Sequence, residues 1–331
     1  MSNICELKKV LEEKINESKQ VILTGHVGAD FDSIASCIAM SEIAKKFKTD
    51  VYILYNDQDI SVEPGVKEMI DSTNSTINYI NCEEYKKIKT GKDLLITLDV
   101  SNKDILPCKD YLNCFQNIIV IDHHTENRHP IESQYNYILK DVSSTAEVMT
   151  NLLISHKINF TKNIANYLLA GIYLDTDKYT KNCSSKTMNT VSKLLDRGAD
   201  IVKVNEFFQT DFESDRKVQD LVSKANFITY SIAICIADEN VIYTKEELAK
   251  VADYLLRFKA DAAFAAGYID DELISISARS KGKVDVSKIM NVMNGGGNIY
   301  SAATKINSKE LNNEGKKLEL LTKPNFYIEE S

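Results

Sequence analysis

Short runs of β-branched and other apolar residues alternate with helical periodicity through the first half of the chain. QVILT (20–24), DVYILY (50–55), INYI (77–80), DLLITLDV (93–100) and NIIVID (117–122) each read as a buried strand, and 32–47 reads as a helix. This alternation predicts a mostly parallel sheet with helices on both faces, because parallel strands need long crossovers and helices supply them. From about 144 to 222 the pattern turns helical, in STAEVMTNLLISH, NIANYLLAGIYLD, SSKTMNTVSKLLDRG and FESDRKVQDLVSKA. Strands return in ITYSIAICIA (228–237), DAAFAAGYI (261–269) and LISISARS (273–280), with the helix TKEELAKVADYLLRF between the first two. The expectation is an α/β chain: a first domain over 1–190, a helical linker over 191–225, a smaller α/β C-terminal domain over 226–322 and a tail over 323–331. No internal repeat or Pro/Gly-rich linker interrupts it.

The chain has 331 residues, 44% of them apolar, enough for packed cores. No apolar run approaches the length of a membrane span, and MSNICELKKVLEEKINESKQ is charged and helix-like rather than a signal peptide. The expected location is therefore the cytoplasm, with no membrane partner. A formal net charge of −8 argues against a broad basic surface that grips long nucleic acid. Seven cysteines without a Cys-x-x-Cys pair indicate neither a disulfide framework nor a zinc knuckle, so buried reduced thiols are expected.

Polar residues recur where the strands stop. His26 follows VILTG, Asp99 ends LLITL, Asp122, His123 and His124 follow IIVI, and Asp175 closes the apolar helix YLLAGIYL, while Asp30 and Asp32 crowd into the turn after His26. Taken singly, Asp30 or Asp32 reads as a helix N-cap, and Asp99 and Asp175 as turn or cap residues. Taken together, four carboxylates and two imidazoles meeting at the carboxyl ends of parallel strands would repel one another unless cations neutralised them. Carboxylate-rich ligands suit Mn²⁺ or Mg²⁺, and imidazole tilts the choice toward manganese or iron. Six ligands are too many for one ion that keeps a position open for water. Two ions bridged by a carboxylate would use them all, an arrangement suited to phosphoester hydrolysis.

GHVGADFDSIAS, LDVS, VIDHH and AGIYLDTDKY resemble, in order, the four motifs of the DHH phosphoesterase superfamily. ISISARS and IMNVMNGGGNIYSAATKI resemble its DHH-associated C-terminal domain, so the resemblance covers roughly 5–310. DVSSTAEVMTNLL, LLDRGAD, VADYLLRFKADAAFAAGYIDDELISISARS and VDVSKIM are similar to the catalytic half of bacterial cyclic-di-AMP phosphodiesterases, which usually carry an N-terminal membrane region and sensory domains. The resemblance implies His26, Asp30 and Asp99 as ligands of a first ion and Asp32, Asp99, His123 and Asp175 as ligands of a second, with Asp99 as the bridge. It implies that His124 contacts the scissile phosphate and that Asp122 orients the histidines. Arg279 and the Gly295-Gly296-Gly297 turn are implied on the substrate-holding side, with Asn298 standing where the family usually has His. His129 and His156 match no motif and read as surface or structural.

The expected activity is hydrolysis of cyclic-di-AMP to linear di-adenylate with two Mn²⁺, Mg²⁺, Co²⁺ or Fe²⁺ being other candidates. Two alternatives stand beside it. One is a nano-RNase acting on linear dinucleotides and short oligoribonucleotides, with 3′-phosphoadenosine phosphate phosphatase activity as an extension. The other is a catalytically weak nucleotide-binding regulator. The expected partner is a cyclic dinucleotide or short linear oligoribonucleotide, and the oligomeric state, a homodimer included, is left open.

Overall fold

The computed structural model describes residues 2–55, 64–124, 129–209, 212–229, 231–297 and 299–308; Asn298 and the stretch 309–331 lie outside the described residues. The chain divides into two compact units, Met1–Gln209 and Thr210–Ser331.

The first unit opens with α1 (Ser2–Glu17), whose Leu7, Leu11 and Ile15 recur at helical spacing and are fully buried. It continues through β1 (Gln20–Thr24), α2 (Phe31–Lys45), β2 (Asp50–Leu54), α3 (Pro64–Thr73), β3 (Asn78–Ile80), α4 (Cys82–Ile88) and β4 (Asp93–Leu98). Two 3₁₀ turns, Lys103–Ile105 and Lys109–Cys114, lead to β5 (Asn117–Asp122) and β6 (Tyr135–Ile138). Helices α5 (Thr145–Ser155), α6 (Lys162–Asp175), α7 (Ser185–Asp196) and α8 (Ile201–Phe207) complete it. The six strands are all parallel, in the order β3-β2-β1-β4-β5-β6. Strands β1 and β4 are buried along their whole length. The strand order reverses between them, which makes their carboxyl ends the place where an open α/β sheet builds its ligand crevice.

Helix α2 lacks a polar face: 13 of its residues, from Phe31 to Ala44, are buried. Small residues let neighbours approach it closely. A Cβ on Gly171 of α6 would sit 2.9 Å from Asp32 Cα, so that position excludes a side chain, and one on Gly25 would displace the Ser33 hydroxyl, 1.7 Å away.

Two features of this unit depart from the sequence expectation. Strand β6 went unread because YNYI is a short, half-exposed edge strand. Cys82 and Cys108 form a disulfide across 26 residues, where reduced thiols were expected. Their pairing arises from tertiary packing, since Cys82 opens α4 and Cys108 precedes the second 3₁₀ turn beside the same small core of Tyr85, Leu95 and Ile22. Of the other cysteines only Cys37 and Cys235 are buried.

The second unit runs α9 (Phe212–Ser223), β7 (Asn226–Thr229), β8 (Ile232–Ile236), α10 (Lys245–Leu255), β9 (Ala262–Tyr268), β10 (Leu273–Ser280), α11 (Val286–Val292), β11 (Gly296–Gly297) and β12 (Ser301–Asn307). Its sheet has the order β11-β12-β10-β9-β8-β7 and is antiparallel except for β8 beside β9. The apolar run 228–237 read as one strand holds the end of β7 and all of β8, folded back on each other. No Gly or Pro marks that reversal, so the hydrophobic pattern conceals it. Among the described residues, no helix is long and apolar enough to cross a membrane.

Candidate metal centre

Eight candidate residues of the first unit converge at the carboxyl ends of β1, β4 and β5 and at the last residue of α6. They form three sets, within each of which one ligand atom per residue lies within 4.8 Å of the others: His26, Asp30 and Asp99; Asp32, Asp99, His123 and Asp175; and Asp99, Asp122, His123 and His124. Asp99 belongs to all three, with one oxygen toward His26 and the other toward His123 and His124. Its Oδ2 is 3.7 Å from His26 Nε2 and its Oδ1 is 3.3 Å from His123 Nε2. The backbone at Asp99 is left-handed, with φ 62°, a region in which Asp is less penalised than most residues.

Local hydrogen bonds aim each ligand. His26 Nδ1 lies 3.0 Å from the Val27 carbonyl, which can only accept, so Nδ1 carries a proton and Nε2 is the nitrogen that faces Asp30 and Asp99. Asp30 is the N-cap of α2 through Oδ1, which accepts from Ser33 N at 3.0 Å, while its Oδ2 is 3.6 Å from His26 Nε2. The cap role and the site role are thus carried by different oxygens. Asp122 Oδ1 accepts from the backbone N–H of His123 and of His124 and from His124 Nδ1 at 2.7 Å, fixing that ring with Nε2 left over.

Electrostatics show what the cluster lacks. Burial pulls the His26 imidazole down, yet the Asp30 and Asp99 carboxylates outweigh it and raise it to about 11. His123 reaches about 11 in the same way, against burial, through Asp175 and Asp99. Burial also opposes ionisation of Asp99, and His123 and His26 overcome it, holding that carboxyl well below the usual range. Burial, then repulsion from Asp99 and Asp175, pushes Asp32 well above it, and burial leads the rise at Asp175. The carboxylates cannot all ionise without added positive charge, which protons on the imidazoles supply in part. His123 Nε2 and Asp175 Oδ2 approach to 3.0 Å but lack hydrogen-bond geometry, and both are buried without a hydrogen-bond partner. Polar atoms so placed, in a set of carboxylates and imidazoles, fit a divalent cation of the Mn²⁺ or Mg²⁺ kind.

Sequence reading placed this helix from about 144 but missed what the first turn of α5 faces. Thr145 N and Ala146 N donate to Asp32 Oδ2 and Oδ1 at 2.8 and 2.6 Å, and Thr145 Oγ1 donates to Asp99 Oδ1 at 3.2 Å. The cap signal was present, Ser144 followed three residues later by Glu147, but it locates a helix start and not what the start faces.

The remaining candidates lie in the second unit. Arg279 on β10 pairs with Asp253 at 3.2 Å and donates to the Ala278 carbonyl at 3.0 Å. Gly296 and Gly297 form the edge strand β11 against β12 rather than a turn. A Cβ on Gly295 would lie 2.4 Å from the Ala303 carbonyl oxygen, whereas one on Gly296 would meet open space.

Comparison with known proteins agrees with this architecture. Residues 20–172 match the DHH family, N-terminal domain, and residues 226–323 match the DHHA1 domain; every candidate metal ligand except Asp175 falls inside the first match. The chain is 32% identical over 310 residues to the cyclic-di-AMP phosphodiesterase GdpP of Bacillus subtilis, covering 91% of this chain and 47% of that protein. Over 153 residues it is 28% identical to the bifunctional oligoribonuclease and PAP phosphatase NrnA of Mycoplasma pneumoniae, covering 45% of this chain and 44% of that one. It therefore spans less than half the length of these relatives. The crystal structure of an exopolyphosphatase-related protein from Bacteroides fragilis shares the fold at a TM-score of 0.81 and 19% identity, covering 97% of this chain and 95% of that chain. The two matched domains, in this order along the chain, identify it as a DHH family N-terminal domain followed by a DHHA1 domain.

Proposed function

We propose that this chain is a metal-dependent phosphodiesterase that hydrolyses cyclic-di-AMP to linear di-adenylate with two Mn²⁺. The observation that carries the reading is the division of Asp99, one carboxylate oxygen toward His26 and the other toward His123. In this reading His26, Asp30 and Asp99 hold one ion, and Asp32, Asp99, His123 and Asp175 hold the other. Bound there, the pair lowers the pKa of a water and neutralises charge on a phosphoryl group.

The protein's own groups do the rest. Asp122 holds His124 so that its free Nε2 can donate to a non-bridging phosphate oxygen, and Asp122 raises that imidazole through their hydrogen bond, which keeps the donor proton in place. His124 is the most exposed of the clustered histidines, its side chain 56% accessible, as contact with a substrate requires. Arg279 of the second unit, paired here with Asp253, offers a guanidinium to phosphate in this reading. Identity to GdpP over most of the chain supports the cyclic substrate.

Identity to NrnA over 45% of the chain supports a second reading, cleavage of linear di-adenylate and short oligoribonucleotides with phosphoadenosine phosphate phosphatase activity. Purified protein with Mn²⁺ is assayed against cyclic-di-AMP, linear di-adenylate, short oligoribonucleotides and phosphoadenosine phosphate. Cyclic-di-AMP as the substrate of highest kcat/KM supports the first reading. Cleavage of the linear substrates alone replaces it with the second, and tight binding without product points to a nucleotide-binding regulator.

A further inference from the structure

Glu147 is 2% exposed, and the side-chain oxygen it uses accepts from neutral donors, Ser143 and Thr187. Burying a carboxylate without a cation is costly unless hydrogen bonds compensate, and an apolar residue would fill the same space at less cost. Its hydrogen bonds are concentrated on one atom. Oε2 accepts from Ser143 N at 3.0 Å, from Ser143 Oγ at 2.7 Å and from Thr187 Oγ1 at 3.0 Å. Thr187 belongs to α7 and its hydroxyl also accepts from Ser184 N at 3.2 Å, so Glu147 ties the approach to α5 to the start of α7. In the same turn Ser144 Oγ accepts from Glu147 N at 3.1 Å.

The residues held between these bonds are Thr145 and Ala146. Their N–H groups grip both oxygens of Asp32, and the Thr145 hydroxyl reaches Asp99. Asp32 has little freedom of its own, because a Cβ on Gly171 of α6 would lie 2.9 Å from both its Cα and its Oδ1. A shift of the Ser143–Ser144 backbone therefore moves the donors that orient two of the candidate metal ligands. We infer that Glu147 is a positioning residue of the metal centre: with Thr187 it fixes the first turn of α5, and that turn sets how Asp32 and Asp99 present their oxygens to a divalent cation. Glu147 touches neither ligand; it acts only through Ser143, Thr145 and Ala146. The inference rests on the metal-binding reading of the site.

The test is the Kd for Mn²⁺ by calorimetry on the full chain, with the metal-free Tm recorded for each variant. Glu147→Ala is expected to weaken Mn²⁺ binding by about 10- to 100-fold, the usual effect of removing a partner that orients a ligand. Glu147→Gln is expected to recover most of it, since an amide oxygen can accept the same three donors. Thr187→Val, three bonds from the ligands, is expected to weaken binding severalfold. Val191→Ala, which removes buried methyl groups from α7 without touching these bonds, is expected to lower Tm and leave Kd unchanged. If Glu147→Ala does not fold, Glu147→Gln and Thr187→Val carry the comparison. Kd within twofold of the parent for Glu147→Ala, or for Thr187→Val where Ala does not fold, overturns the inference, as does an equal loss in Val191→Ala. Failure of the parent itself to bind Mn²⁺ removes the metal reading and the inference with it.

Discussion

Nε2 of His123 and Oδ2 of Asp175 lie 3.0 Å apart, buried, and neither has a hydrogen-bond partner. One comes from the end of a strand and the other from the end of a helix more than fifty residues later. Groups that merely stabilised the fold would turn to satisfy each other. In the proposed reading both are ligands of one cation.

Metal and protons should compete for this cluster. His26 and His123 are raised to about 11 in the folded protein from 6.5. A raised base adds stability below pH 6.5 that is lost progressively as pH climbs toward the folded value. The metal-free Tm is therefore expected to fall between pH 7 and 9.5, and the increment given by Mn²⁺ to grow over the same interval, because fewer protons must be displaced. At a hundred times Kd the increment corresponds to ~2.7 kcal/mol, or about 5–10 °C. Differential scanning fluorimetry with and without Mn²⁺ checks this; an increment constant with pH contradicts it.

His156 predicts the opposite slope. Its ring is buried, both nitrogens lack hydrogen-bond partners, and Glu12 approaches Nδ1 to only 3.4 Å. Burial lowers its pKa and Lys8 and Lys46 add to this, with Glu12 opposing. Because the unfolded chain takes up this proton first, stability is lost as pH falls through 6.5 and is unaffected above it. His156→Phe is expected to flatten that part of the acid limb in urea titrations between pH 5 and 7. An unchanged slope would show that the ring finds a partner for its charge.

Arg279 tests the second unit's share in the reaction. Arg279→Ala is expected to leave Mn²⁺ affinity unchanged and to lower kcat/KM on a dinucleotide by about 10- to 100-fold, the loss of one charged hydrogen bond worth ~1.5–3 kcal/mol. Unaltered kinetics would confine Arg279 to its pairing with Asp253.

The candidate metal ligands were legible because they stand where regular elements stop or, for Asp30 and Asp32, where one starts. His26 and Asp99 follow fully buried strands, Asp122 ends another, and Asp175 ends an apolar helix. Asp30 proved to be both the cap residue and the cluster residue that the sequence had offered as alternatives. What stayed illegible depends on contacts distant in sequence or made by the backbone. The amides of Thr145 and Ala146 carry no signature of facing Asp32, 113 and 114 residues away. Cys82 and Cys108 have no motif spacing, and an uninterrupted apolar run concealed the reversal between β7 and β8. The glycine run was read as a turn because Gly marks turns most often, whereas here close approach to β12 excludes a Cβ at Gly295.

The most direct test of the account is Mn²⁺-dependent hydrolysis of cyclic-di-AMP by Asp99→Asn, with Asp177→Asn as control. Asp177 is exposed, pairs with Lys181 at 3.0 Å and has φ 43°, a conformation that Asn also accepts, so its replacement is expected to be mild. Asp99→Asn is expected to lose the bridge between both histidine groups and to lower kcat/KM by about a thousandfold or more, ~4 kcal/mol of transition-state stabilisation. Near-parental Mn²⁺-dependent activity in Asp99→Asn would contradict a centre built on that carboxylate.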